Sequence, residues 1–179
     1  ISPYYINTGN YKSAGQLYRL GEFYARCMQE HNVEANLLAG NSAREAPIVI
    51  AAAMVLYRRY GIDISYTTDG SVGKPMDAAD KTVLLKDTLT SGSTLRTNLK
   101  AISEATGQCT ARVIVSVDRK ERGENSFLSS RQEIEREYGV KIHAIVTVDD
   151  IIRAIEDGII GGAEHLVSIR QYQKEYGGE

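Results

Sequence analysis

Between Thr90 and Thr94 the chain sets four hydroxyl residues and a glycine in five consecutive positions, Thr90-Ser91-Gly92-Ser93-Thr94, after an apolar run and before a helical pattern. Hydroxyls and backbone N–H groups at a helix start can surround an anion, and the helix dipole favours negative charge there. Phosphate binding is the chemistry expected of this segment, and Gly92→Val is expected to alter the response to the ligand. A plainer account is helix capping, because Ser and Thr are common N-caps. Just upstream, Lys86-Asp87 places an ammonium beside a carboxylate. Lys86 can only donate hydrogen bonds, so Asp87 alone can accept from a ligand hydroxyl. The plainer role for Lys86 is an ion pair with a neighbouring carboxylate. Arg44 stands next to Glu45 in Gly40-Asn41-Ser42-Ala43-Arg44-Glu45-Ala46-Pro47, which on its own reads as a solvated first helical turn. Arg119 reads on its own as a surface ion pair with Asp118 or Glu121. Tyr5 and Ile6, on their own, are core residues of a strand.

These positions have to be carried by elements. Ser13 can cap a helix in which Leu17, Leu20, Tyr24, Cys27 and Met28 recur at helical spacing as far as His31. Leu37-Leu38 reads as a strand, and Pro47 opens an alanine-rich helix closed by Tyr60-Gly61. Ile62 to Tyr66 alternates as a short strand, and Thr67 to Lys81 reads as loop. Thr82-Val83-Leu84-Leu85 suits a strand buried on both faces. Further along come a helix ending near Gly107, a strand from Arg112 to Val117, a helix from Ser130 to Tyr138, a strand from Lys141 to Val148 and a helix from Asp149 to Asp157. Alternation of this kind specifies an α/β fold: a doubly wound, mostly parallel sheet with helices on both faces. Its ligands sit beyond the carboxyl ends of the strands.

The 179 residues suit one domain, residues 1–179, with no repeat or linker to divide it. Lys and Arg total 21 against 23 Asp and Glu, a net charge of -2, which argues against nucleic acid or anionic lipid as a partner. The longest apolar stretch, Ala46 to Leu56, is too short to span a membrane. Cys27 and Cys109 fall in helix-like and strand-like patterns with no ligand spacing, as expected of a reduced, cytoplasmic protein without a zinc site. The chain starts at Ile1 and shows no secretory leader, so a missing true N-terminus is also expected.

Thr82-Val83-Leu84-Leu85-Lys86-Asp87-Thr88-Leu89-Thr90-Ser91-Gly92-Ser93-Thr94 resembles the phosphoribosyl pyrophosphate (PRPP) motif of type I phosphoribosyltransferases. Ser2-Pro3-Tyr4-Tyr5-Ile6-Asn7-Thr8-Gly9 and Ser116-Val117-Asp118-Arg119-Lys120-Glu121-Arg122-Gly123 narrow the resemblance to the orotate phosphoribosyltransferase family, and it runs across nearly the whole chain. It implies transfer of the phosphoribosyl group of PRPP to orotate, giving orotidine 5′-monophosphate and pyrophosphate. The implied substrate-binding residues are Tyr5, Ile6, Lys86, Thr90, Ser91, Gly92, Ser93, Thr94 and Arg119, and the implied catalytic ones are Asp87 and Arg44. Residues near 1–10 would form part of a substrate hood, with Tyr5 and Ile6 as walls for the pyrimidine. The fork of Arg119 suits a carboxylate and ring carbonyls. Mg2+, held mainly through PRPP and pyrophosphate, and a homodimer are implied as well.

Three departures from the family pattern bear on catalysis. Glu45 stands where the family has a glycine after its lysine, whose charge Arg44 keeps. Lys86 replaces the first member of an acidic pair, so Lys86→Asp is expected to raise turnover or tighten PRPP binding. The family's basic, mobile loop is reduced to Thr67-Thr68-Asp69-Gly70-Ser71, shorter by roughly ten residues. Either that loop is deleted or the 179 residues are a subset of a longer chain; Lys74, followed by Pro75, is a poor substitute for its basic residues. These departures leave an alternative: a catalytically impaired relative that binds a phosphoribosyl ligand or nucleotide as a regulator or partner subunit.

Overall fold

The computed structural model of the chain describes residues 2–4, 10–68, 72–107 and 112–178. A six-stranded sheet runs in the order β3-β2-β1-β4-β5-β6. Its strands are β1 (Leu37–Gly40), β2 (Ser65–Thr68), β3 (Val72–Gly73), β4 (Thr82–Leu89), β5 (Arg112–Asp118) and β6 (Lys141–Thr147). All neighbours are parallel except β2 and β3, which pair antiparallel through Thr67 with Gly73 and Thr68 with Val72.

Side chains alternate across the central strands, and that alternation divides the core in two. Leu38, Val83, Leu85 and Ile114 pack with α1 (Ala14–Glu30) and α2 (Ala46–Tyr60). Ala39, Leu84, Val113 and Val115 pack with α3 (Ser93–Thr106) and with Ile134 of α4 (Ser130–Tyr138). Because both faces of β4 are covered, its apolar run reads continuously, as expected. A third cluster joins Val148 and Ile155 of α5 (Val148–Glu156) to Ile169 of α6 (Leu166–Tyr176), with Tyr4 packed against it.

Ser13 caps α1 in a reciprocal box with Gln16, and Pro47 lies in the first turn of α2. The strand expected at 62–66 is displaced: Ile62 lies in the connection behind α2, Ile64 is buried under it, and pairing with β1 begins only at Ser65. Within the segment expected to be loop, Thr67 and Thr68 finish β2, and Val72–Gly73 fold back on it as β3. β4 continues four residues past the apolar run to Leu89, because β5 supplies a partner up to the pairing of Leu89 with Asp118. α5 begins one residue early, at Val148, with Thr147 as its cap. α6 was not anticipated. Among the described residues no helix is long and apolar enough to cross a membrane. Cys27 is a buried free thiol whose pKa burial pushes up to about 11, and Cys109 lies outside the described residues.

Candidate functional site

The carboxyl ends of β1 and β4 and the N-termini of α2 and α3 enclose a cavity of about 190 Å3. Ser42, Arg44 and Glu45 line one side, residues 86–90 form the floor, and Gly92, Thr94 and Leu95 form the far side. Ser91 and Ser93 are not part of the lining.

The hydroxyl-rich loop is not a capping segment. The N-cap of α3 is Gly92, and no side chain accepts from its first turn. Two side chains instead take the loop's carbonyls: Ser130 Oγ donates to Thr90 O, and Arg96 Nη1 donates to Ser91 O at 3.2 Å. A trans peptide directs its C=O and the following N–H oppositely. Holding those two oxygens toward α4 and the body of α3 therefore turns the N–H groups of Ser91 and Gly92 the other way. Arg96 is itself fixed by ion pairs to Glu133 and Glu137. Gly92 is required on two counts: its φ is +87°, and a Cβ there would overlap Ile134 Cδ1 and lie 3.2 Å from Arg96 Nη1. Gly92→Val is therefore a packing lesion before it is a binding lesion, which corrects its expected use as a probe of the anion site.

Lys86 and Glu45 form a buried ion pair, with residues 5% and 1% exposed. Glu45 Oε2 also accepts from the Asn41 backbone N–H at 2.8 Å, so it fixes the β1–α2 loop as well. Gly40 leaves room for this, since a Cβ there would press on Glu45 and Val49. The Asn98 orientation that satisfies both of its amide atoms has Oδ1 accepting from Lys86 Nζ at 3.1 Å and Nδ2 donating to Thr94 O at 3.3 Å. Tyr24 O–H donates to the Lys86 carbonyl at 2.6 Å; burial pushes that phenol far above the usual tyrosine range. Glu45 is thus no solvated helix-start residue. The Lys86 side chain does not face the cavity as an isolated misplaced charge, because its counterion comes with it. The ion pair argues against a gain from Lys86→Asp, since an aspartate there would face the buried Glu45 carboxylate.

Asp87 and Arg44 both line the cavity, and Asp87 Oδ1 accepts from the Thr88 N–H at 2.7 Å. Among the described residues no cluster of three His, Cys, Asp or Glu side chains could hold a metal ion. Lys74 is engaged by Asp77 at 3.2 Å and by Asp80, away from the cavity.

Arg119 lies outside the cavity lining. Its guanidinium pairs with Glu121 at 2.8 Å, donates to Ser2 Oγ at 2.7 Å and lies against the edge-to-face pair of Tyr4 and Tyr172, 4.4 and 5.6 Å from their ring centroids. The ion pair expected from sequence exists with Glu121 and is buried; Asp118 accepts instead from the Lys120 N–H at 2.8 Å, and burial raises its pKa. Gln173 of α6 donates to Tyr4 Oη and to the Arg119 carbonyl, both at 3.2 Å. Ser2 and Tyr4 thus hold one end of the expected hood against the β5 loop and α6, while Tyr5 and Ile6 lie outside the described residues. Sequence reasoning passed over Ser130, Asn98, Tyr24 and Tyr4. Only Tyr4, inside a quoted motif, carried any signal, since the others depend on contacts between distant segments.

The parallel sheet with one antiparallel edge and the hydroxyl loop at the head of α3 define a type I phosphoribosyltransferase. A solved orotate phosphoribosyltransferase from Francisella tularensis superposes with a TM-score of 0.80 at 25% identity, over 99% of this chain and 88% of its own. The UMP synthase of Leishmania donovani shares the fold, with a TM-score of 0.75 at 13% identity over 96% of this chain and 36% of its own. In sequence, orotate phosphoribosyltransferase from Yersinia pestis (strain Pestoides F) is 37% identical over 188 residues, covering 99% of this chain and 85% of that protein. The chain belongs to the orotate phosphoribosyltransferase family. No family model matches it.

Proposed function

We propose that the chain transfers the phosphoribosyl group of PRPP to orotate, forming orotidine 5′-monophosphate and pyrophosphate. The observation that carries this reading is the uncapped start of α3 opening into the same cavity as Arg44 and Asp87. The 5′-phosphate would sit on the N–H groups of the Thr90–Thr94 loop, with the hydroxyls of Thr90 and Thr94 beside it. Asp87 would accept from the ribose and stabilise the positive charge that develops on the ring as pyrophosphate leaves. Arg44 would meet the negative charge on the departing pyrophosphate. Arg119, held by Tyr4 and Tyr172, would bind the carboxylate or a ring carbonyl of orotate.

Magnesium fits this cavity as a cofactor held chiefly by substrate oxygens. Of the two carboxylates in the lining, Glu45 is committed to Lys86, which leaves Asp87 as the protein ligand, and Mg2+ needs few protein ligands when phosphates are present. When bound, it would neutralise charge on the pyrophosphate.

The outer face of α1 and α2 supports a homodimer. Tyr18, Ile50, Met54 and Tyr57 are exposed there, around an apolar groove of about 440 Å3. Nothing in the reading calls for a membrane or nucleic acid, and it implies a cytoplasmic protein.

The test is formation of orotidine 5′-monophosphate from PRPP and orotate with magnesium present. Turnover that is lost on Asp87→Asn is expected. Calorimetric binding of PRPP without turnover would instead favour the impaired, ligand-binding relative. Neither binding nor turnover at millimolar PRPP would refute both.

A further inference from the structure

We propose that Tyr172 of α6 is a positioning residue for base binding: by sharing the Glu121 carboxylate it keeps the Arg119 guanidinium open to a ligand. This deepens the reading above, in which Arg119 meets orotate, and rests on it.

The backbone of Arg119 is pinned from two sides. Its N–H donates to Leu89 O of β4 at 3.1 Å, and its carbonyl accepts from Gln173 Nε2 of α6 at 3.2 Å. The end of α6 is also stitched to the segment that follows Arg119: Arg122 N–H donates to Tyr176 O at 2.8 Å, and Gly178 N–H donates to Lys120 O at 2.9 Å. Main-chain bonds therefore set where Tyr172 stands relative to Arg119.

The guanidinium is divided among several partners. Nε donates to Tyr4 Oη at 3.3 Å, and Nη2 both donates to Ser2 Oγ at 2.7 Å and pairs with Glu121 Oε1 at 2.8 Å. Nη1 donates to no described residue, so its N–H groups are what Arg119 keeps for a ligand. Glu121 competes for them. The Arg119 and Glu121 side chains are only 9% and 13% exposed, and a carboxylate so placed favours a two-pronged pair that occupies more of the guanidinium. It also repels an anionic base, with little water between to screen it.

Tyr172 acts on that carboxylate. Its O–H donates to Glu121 Oε1 at 3.1 Å, the same oxygen that faces Arg119, so two donors share it. The Tyr172 ring is fixed edge to face on Tyr4, 6.0 Å between centroids, and lies against Tyr176 at 4.7 Å. Burial and then the Glu121 charge raise its pKa, which holds the donated proton in place. Without the hydroxyl, Glu121 would turn wholly to Arg119. Tyr172 thus acts through Glu121 and Arg119 and need not touch the base.

The test is calorimetric titration of the whole chain with orotidine 5′-monophosphate and with ribose 5-phosphate, which lacks the base, alongside a thermal melt. Tyr172→Phe keeps the ring and should melt near the parent. It should weaken orotidine 5′-monophosphate about fivefold or more and leave ribose 5-phosphate within about twofold. Adding Glu121→Gln to Tyr172→Phe removes the competing charge and should recover most of the lost affinity, with the ligand carboxylate as counterion to Arg119. A merely structural role for the hydroxyl would make that second change a further loss. Parental binding by Tyr172→Phe, equal loss of both probes, no recovery in the double variant, or a parent that binds the two probes equally well would each overturn the positioning role and leave the phosphoribosyltransferase reading intact. A parent that binds neither probe would overturn that reading and the positioning role with it.

Discussion

Replacing Gly92 by alanine should cost stability by two separable routes, and a second substitution can pull them apart. The backbone route comes from φ of +87°, a conformation that costs a residue bearing a Cβ about 1–2 kcal/mol. The packing route comes from the overlap of the new methyl with Ile134 Cδ1, and overpacking of this kind costs about 1–3 kcal/mol. Gly92→Ala should thus destabilise by about 2–5 kcal/mol. Ile134→Val deletes the offending Cδ1 and by itself costs about 0.5–1.5 kcal/mol. In that background Gly92→Ala should cost only its backbone share, which leaves a favourable coupling of about 1–3 kcal/mol in the cycle. Urea unfolding followed by far-ultraviolet circular dichroism reads all four proteins. Additive costs, with a coupling below about 0.5 kcal/mol, would mean that Ile134 does not hold the head of α3. The account of why this loop needs glycine would then be wrong.

Lys86→Asp should lower stability by about 3–5 kcal/mol by setting two carboxylates together in a buried place; a parental melting temperature with tighter PRPP binding would contradict the ion-pair account. His143 is held down to about 4 by burial, with the stacked His31 ring and Arg131, Lys141 and Arg112 adding to it. The unfolded chain, near 6.5, takes up the proton first, so stability should be level above pH 7 and fall as pH drops from about 6.5 toward 4. His143→Leu should flatten that slope in urea midpoints taken at pH 7 and pH 5, and an unchanged slope would remove His143 as its source. Met54→Asp should convert the proposed dimer to monomer in sedimentation velocity at micromolar concentration, whereas a dimer that persists would move the interface elsewhere.

Local chemistry was legible where a single segment carries it. The alternation of strand and helix, the bounds of α4 and the hydroxyl loop all follow from spacing within a dozen residues. The Glu45–Lys86 pair is different in kind. Read one at a time, each residue looks like damage to a phosphate site, and only the placement of β1 beside β4 makes them partners across 41 positions. Arg119 was half legible: Glu121 is two residues away, but Tyr4 and Tyr172 reach it from opposite ends of the chain. The displaced second strand shows the same limit, because Ile62 and Ile64 have strand character and the position of β1 decides where pairing starts.

The Tyr4–Arg119–Gln173 cluster also constrains the order in which the molecule can be made. Tyr4 leaves a ribosome well ahead of its hydrogen-bond partner Gln173, which follows 169 positions later. At about 5–20 residues per second that interval is roughly 8–35 s. The β1–β4–β5 sheet with its flanking helices can assemble meanwhile, since all of its strands emerge first. Arg119 emerges 54 positions before Gln173 and would spend that shorter interval, roughly 3–11 s, with Glu121 but without Tyr172. Completion of the Tyr4–Arg119–Gln173 cluster is thus a late event in synthesis, timed by the appearance of α6, while the cavity at the head of α3 can be ready well before it.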